Sequence, residues 1–132
     1  MTIRRTDALR EDIMDALNAA RGVSAEIQVR SGANAGTGGQ GTLLAQLTGN
    51  AAGWGVSASG VLTSNAITAD TSADTTGTAG HYQLNTSGSV FLESGLINSG
   101  DGVTIDNASI VGAQTVQMSG NWVNTAAYDD GV

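Results

Sequence analysis

From Ala25 onward this chain alternates. "AEIQVRSG" sets Ile27 and Val29 against Glu26, Gln28 and Arg30, and each later apolar run is short and broken by Gly, Asn, Asp or Ser. A period of two puts successive side chains on opposite faces of a strand. Short alternating runs with turn residues between them build antiparallel sheets, largely from hairpins. "TLLAQLTG" and "VLTSNAITAD" read as further strands, and "TAGHYQLN" and "SVFLESGLI" as a hairpin around "TSG". "NAAGWGVSASG" reads as a small-residue link, and "SGDGVTIDNASIVGAQTVQMSGNW" adds two or three strands. About eight strands at this spacing predict a mainly β fold, a sandwich or a small barrel, of which an antiparallel β-sandwich of jelly-roll-like type is the expected form.

The N-terminus follows a different period. Leu9, Ile13, Ala16, Leu17 and Ala20 recur at helical spacing, with Asp12, Asp15 and Asn18 on the other side. Thr6 is placed to cap a helix over Asp7 to Ala20, and Gly22 to stop it. The stripe is expected to pack on the chain's own body. The alternative is an arm that docks on a neighbouring subunit. The expected organisation is an N-terminal arm and short α-helix over 1–24, a sandwich body over 25–125 and a flexible tail over 126–132.

Composition narrows the function. A chain of 132 residues fits one domain. Aromatic content is 4%, so the core must come from Val, Leu, Ile and Ala. Cysteine is absent, which removes disulfides and thiolate chemistry. No apolar stretch follows the first arginines as in a secretion signal, and none approaches the ~18 residues of a membrane span. The net charge is −7, lysine is absent, and all five arginines (Arg4, Arg5, Arg10, Arg21, Arg30) precede Ser31. An acidic chain without a basic footprint is not built for nucleic acid, and no membrane partner is expected.

Little in the sequence points to catalysis. His81 is the only histidine, lies within a predicted strand and has no nucleophile elbow beside it, so it reads as structural. One histidine without cysteine excludes the usual zinc sets. Asp70, Asp74, Asp101 and Asp106 sit in loops that could hold calcium, but they lack the ligand ladder and read as turn formers. Glu26, Glu93 and Asp106 are candidates for a two-carboxylate hydrolase, with nothing to place a pair together. "GANAGTGGQG" lacks the Lys-Ser/Thr ending of a phosphate loop. Trp54 and Trp122 read as core anchors before sugar platforms. No cofactor is expected.

Seven segments occur in a telling order: "DALREDIMDALNAA", "IQVRSG", "GTLLAQLTG", "GVLTSNAIT", "GTAGHYQL", "SGSVFLESG" and "ASIVGAQTVQMSG". In this order the chain resembles small virion structural proteins of tailed bacteriophages, of the capsid decoration or cement type. It departs from their pattern where Arg30 and Ser31 replace an aromatic, and at His81–Tyr82, where two large aromatics are typical. The resemblance implies a non-enzymatic protein on the capsid exterior, made in the host cytoplasm. Its implied partners are the major capsid protein and further copies of itself, a homotrimer first and a dimer second. Ile3, Arg4, Arg5 and Arg10 form the candidate docking segment, the arginines pairing with acidic capsid side chains. Edge strands offer a second mode, by strand addition. The alternative is a phage tail or fibre module that binds host-surface glycan through exposed tryptophans.

Overall fold

The computed structural model describes residues 4–33, 36–100 and 102–126. One helix, α1 (Asp7–Arg21), precedes eight strands: β1 (Glu26–Ser31), β2 (Leu43–Thr48), β3 (Gly55–Ala58), β4 (Val61–Ser64), β5 (Gly77–Asn85), β6 (Phe91–Leu96), β7 (Ser109–Ile110) and β8 (Val123–Thr125). The larger sheet runs β2-β1-β5-β6, with β7 also on β5, and the smaller runs β3-β4-β8. Every strand pairing is antiparallel. The protein is therefore mainly β, a two-sheet sandwich with a short N-terminal helix, as the alternation leads one to expect.

Register decides which side chains form the core. Ile27 lies between Leu47 and Leu84, and Val29 between Ala45 and Tyr82. These six residues are buried and share one face. The opposite face carries the row Gln46, Gln28, Gln83 and Ser94. The glycine-rich loop folds over that polar face. Gly39 N–H donates to Gln83 Oε1 at 2.7 Å, and Arg30 Nη1 reaches the carbonyls of Gln40 and Gly41.

Sheet edges are closed by loop backbone and by side chains. Beyond β2, Thr48 and Thr68 exchange two backbone bonds, Asp70 Oδ2 accepts from Gln46 N–H, and Leu44 O accepts from Asp74 N–H. On β3, the Asn18 amide of α1 accepts from Gly55 N–H and donates to Gly55 O, both at 3.1 Å. It takes the place of a partner strand. An unpaired edge is an aggregation template, and short polar caps remove that hazard.

Two expectations need correction. "NAAGWGVSASG" is not only a link, because Gly55–Ala58 within it is β3. Small residues suit this strand: a Cβ on Gly55 would lie 2.1 Å from Thr63 O. The tail was expected to start at 126, yet Ala126 is buried and its N–H donates to Gly60 O. Residues 127–132 lie outside the described residues.

The helix ends match the expectation. Thr6 Oγ1 accepts from Leu9 N–H at 3.1 Å, and Gly22 adopts φ 64° with its N–H on Asn18 O. The helix packs in cis, on β3 and β4. It grips the turn between those strands, since Glu11 Oε2 accepts from Gly60 N–H at 2.8 Å.

Gly55→Ala is expected to lower stability by about 2–3 kcal/mol through overpacking. Gly88→Ala, where the new Cβ meets no heavy atom nearer than 3.8 Å, should change little. Urea unfolding of both variants checks the difference.

Candidate functional site

The polar centre of the molecule is Arg21, in the last turn of α1. Its side chain is fully shielded, and the whole residue is 1% exposed. The guanidinium lies 4.7 Å from the Trp54 ring centroid and 4.6 Å from that of Trp122. Nη1 donates to Asn124 Oδ1 and Nη2 to Glu93 Oε1, each at 2.7 Å. Trp122 stands edge-on to Trp54 at 5.3 Å and to Tyr82 at 5.0 Å between centroids. The cage therefore draws on α1, on β5 and β6 of one sheet, on β8 of the other, and on the two tryptophans flanking β3 and β8.

Burial pushes the Arg21 guanidinium below its ordinary range, and the facing Glu93 carboxylate opposes that shift. A desolvated cation over an aromatic face gains about 2 kcal/mol, and a bonded carboxylate adds to it. Arg21 Nε and both indole N–H groups have no hydrogen-bond acceptor among the described residues. The π faces, Glu93 and Asn124 thus supply the compensation seen among the described residues, with Tyr82 also favouring the charge. Gly102 seals the edge: at φ 120°, a Cβ there would lie 2.0 Å from Trp122 Nε1.

This arrangement holds structure together. Both tryptophans are buried, as the core reading expects, so the exposed aromatic platform of the glycan alternative does not exist at Trp54 or Trp122. In the sequence Arg21 stands out only as one of the five arginines that precede Ser31. No signal in the local sequence marks it as buried, because its cage comes from residues far along the chain.

The other candidates are spread through the fold. His81 is buried, with Nδ1 3.0 Å from Gly32 O and Nε2 without a hydrogen-bond partner among the described residues. Glu26 and Glu93 pair across with Asn85 and Leu84, adjacent residues of β5, and so project from opposite faces. Glu26 accepts from Asn85 and Ser89. Asp106 accepts from Ser119 Oγ and Gln117 Nε2, both at 2.7 Å. Those bonds, the serine's first, hold its carboxyl below the usual carboxylate range. Asp70 closes a turn onto Ser72 N–H as well as capping β2. Asp101 lies outside the described residues. Among the described residues no three metal-binding side chains gather, and no ligand-sized cavity opens.

Of the proposed docking residues, Ile3 lies outside the described residues. Arg4 is exposed and Arg5 half-buried. Arg10 is turned inward: it pairs with Asp7 at 3.1 Å, and its Nε lies 3.4 Å from Ala126 O. A helical position packed against the body ties it to its own chain.

Exposed apolar residues form two groups, while Val90, Leu96 and Val111 are exposed elsewhere on the surface. The outer face of the small sheet carries Val56 at 65% and Val123 at 51% exposure, both paired across with Thr63 of β4. The outer face of α1 carries Leu9 at 48% and Ile13 at 40%. The expectation that the stripe packs on the body is corrected: only Leu17 of its five residues packs against the core. Met14 and Arg21 are buried, while Leu9, Ile13, Ala16 and Ala20 face outward. The inner positions go to Met14, which packs in the core, and to Asn18 and Arg21, which bond to β3 and β8.

No family model matches the chain, no curated protein matches its sequence, and no solved structure matches its fold.

Arg21→Ala is expected to cost about 3–5 kcal/mol, the range for removing one partner of a buried ion pair. Glu93→Gln should cost less, because the amide oxygen still accepts from Nη2. Urea unfolding followed by tryptophan fluorescence measures both, and a cost below about 1 kcal/mol for Arg21→Ala would refute the caged-cation account. Asp106 gives a pH dependence. Its folded pKa lies below the unfolded value, so its contribution is present above about pH 4 and is lost as pH falls through the folded value. The stability gap between the wild type and Asp106→Asn should narrow on acidification, which thermal melts at falling pH will read.

Proposed function

We propose that this chain is a non-enzymatic capsid decoration, or cement, protein of a tailed bacteriophage, bound to the outer surface of the assembled head. In this reading it contacts the major capsid protein, self-associates, and stabilises contacts between capsomers. The observation that carries the proposal is the uncovered outer face of the small sheet, centred on Val56 and Val123. The other face of that sheet is filled by α1 and the tryptophan cage. An apolar face rimmed by polar residues on a rigid body fits a partner surface. The order of sequence segments that resembles virion proteins directs that reading to a capsid shell.

The electrostatics fit the same role. A net charge of −7 keeps copies apart before assembly. Exposed Arg4 then offers a local positive contact for acidic groups on the shell, with Arg5 beside it. Many equivalent contacts on a lattice let modest affinities add.

The test uses phage heads that lack this protein. Purified wild-type chain should bind them saturably in sedimentation and appear as density on the head lattice by cryo-electron microscopy. Val56→Asp with Val123→Asp, and separately Arg4→Ala with Arg5→Ala, should each weaken binding by at least about tenfold, or 1.4 kcal/mol. Density at the tail tip alone, or no binding to heads, overturns the proposal.

A further inference from the structure

The outward residues of α1 have a spacing that the body does not use. Leu9, Ile13, Ala16 and Ala20 follow one another at intervals of four, three and four. That is the seam spacing of a helix that packs along a second helix. All four are exposed, while the helix is held to its own body by Met14, Asn18 and Arg21 on the other side. Val23 extends the row past the helix end and is also exposed. We propose that this seam pairs α1 with α1 of a second copy, antiparallel, about a two-fold axis passing between Met14 and Asp15.

Three observations select a second copy as the occupant. The first is size. An axis at that position sets Leu9 opposite Ala20 of the other copy, and Ile13 opposite its Ala16. Each large side chain then meets a small one, so the seam is complementary to itself only in the antiparallel sense. A parallel pair would set Leu9 on Leu9 and leave Ala16 facing Ala16.

The second is charge. Two chains of −7 repel, so contact requires a face where acids are few or engaged. Asp7 is paired with Arg10. Glu11 bonds Ser57 Oγ and Gly60 N–H, and Asp15 also bonds Ser57. Asp12 alone of the helix acids flanks the seam. Antiparallel packing separates the two Asp12 carboxylates along the axis by about five residues, or ~7.5 Å, and opposes the two helix dipoles. Parallel packing would bring those carboxylates level with each other.

The third is extent. Leu9 to Ala20 spans about 16 Å of helix. Such a contact falls below the ~1,200 Å² of a stable interface, so association is weak in solution. Copies concentrated on a surface would pair far more readily. That use rests on the capsid reading, but the pairing itself does not. The geometry favours a dimer over the trimer that the sequence resemblance suggested.

Sedimentation equilibrium of the full chain, from about 10 μM to about 1 mM, tests the pairing. The wild type should move from 13.2 kDa towards twice that mass. Ile13→Asp should weaken association at least tenfold with an unchanged melting temperature. If that variant folds poorly, Ala16→Glu at the same exposed seam takes its place. Direction is read by disulfide trapping, since the natural chain has no cysteine. An equimolar mixture of Ile13→Cys and Ala16→Cys chains should yield mainly the mixed disulfide. A monomer at every concentration, a trimer mass, or mainly the 13–13 disulfide overturns the inference. The head-binding experiment stands apart from this one: heads bound by a strictly monomeric chain would sink the pairing and keep the capsid proposal, and a dimer that ignores heads would do the reverse.

Discussion

The fold depends on one buried cation. Arg21 brings a full charge to the centre of a molecule with only five aromatic residues, and three of those gather around it. An unpaired charge there would be prohibitive. Two π faces, a carboxylate and an amide oxygen make it tolerable, and they come from three distant parts of the chain, around Trp54, Glu93 and Trp122–Asn124. The cage is therefore complete only when α1, both sheets and the tryptophan-bearing loops are in place together. Breaking a buried pair costs more than forming it gains, and that asymmetry favours one arrangement of these elements over looser packings.

Around this centre the rest of the structure economises. Aliphatic residues in the interleaved rows of β1, β2 and β5 fill the core beneath the cage. Small residues let backbones approach closely, as at Gly55 beside Thr63 and Gly102 beside Trp122. Side chains finish what strands leave open. Asn18 acts as a strand partner for β3, and Asp70 does the same at β2. The helix is thus part of the sandwich. Its inner face is chosen for hydrogen bonding, which leaves most of its apolar residues on the outside. A surface chemistry follows from that internal choice: apolar seams on a charged, otherwise polar molecule are suited to assembly, and assembly is the theme shared by the two proposals.

The legible parts of the fold were those with local causes. β1, β2, β5 and β6 follow from alternation, α1 from its period, and its ends from Thr6 and Gly22. β3 was hidden because Gly, Ser and Ala carry no alternation strong enough to announce a strand. Its pairing comes from a two-residue turn at Ser59–Gly60, where both residues adopt positive φ. The inward turn of Arg10 and Arg21 was hidden for a related reason. A helical period locates a stripe, but it does not say which of two adjacent faces will meet the body when polar groups compete for the inner one.

Sequence by itself determined the class of fold, the helix and its caps, the poverty of catalytic groups and the acidic, lysine-free surface. Each of these is a property of neighbouring residues or of composition. Tertiary structure alone decided that Arg21 is buried, that Trp54 and Trp122 are its walls, and that Leu9, Ile13, Val56 and Val123 remain outside. Burial of a cation needs partners such as Glu93 and Asn124, 72 and 103 residues away along the chain. No local pattern encodes a contact whose free energy exists only once the distant groups have met.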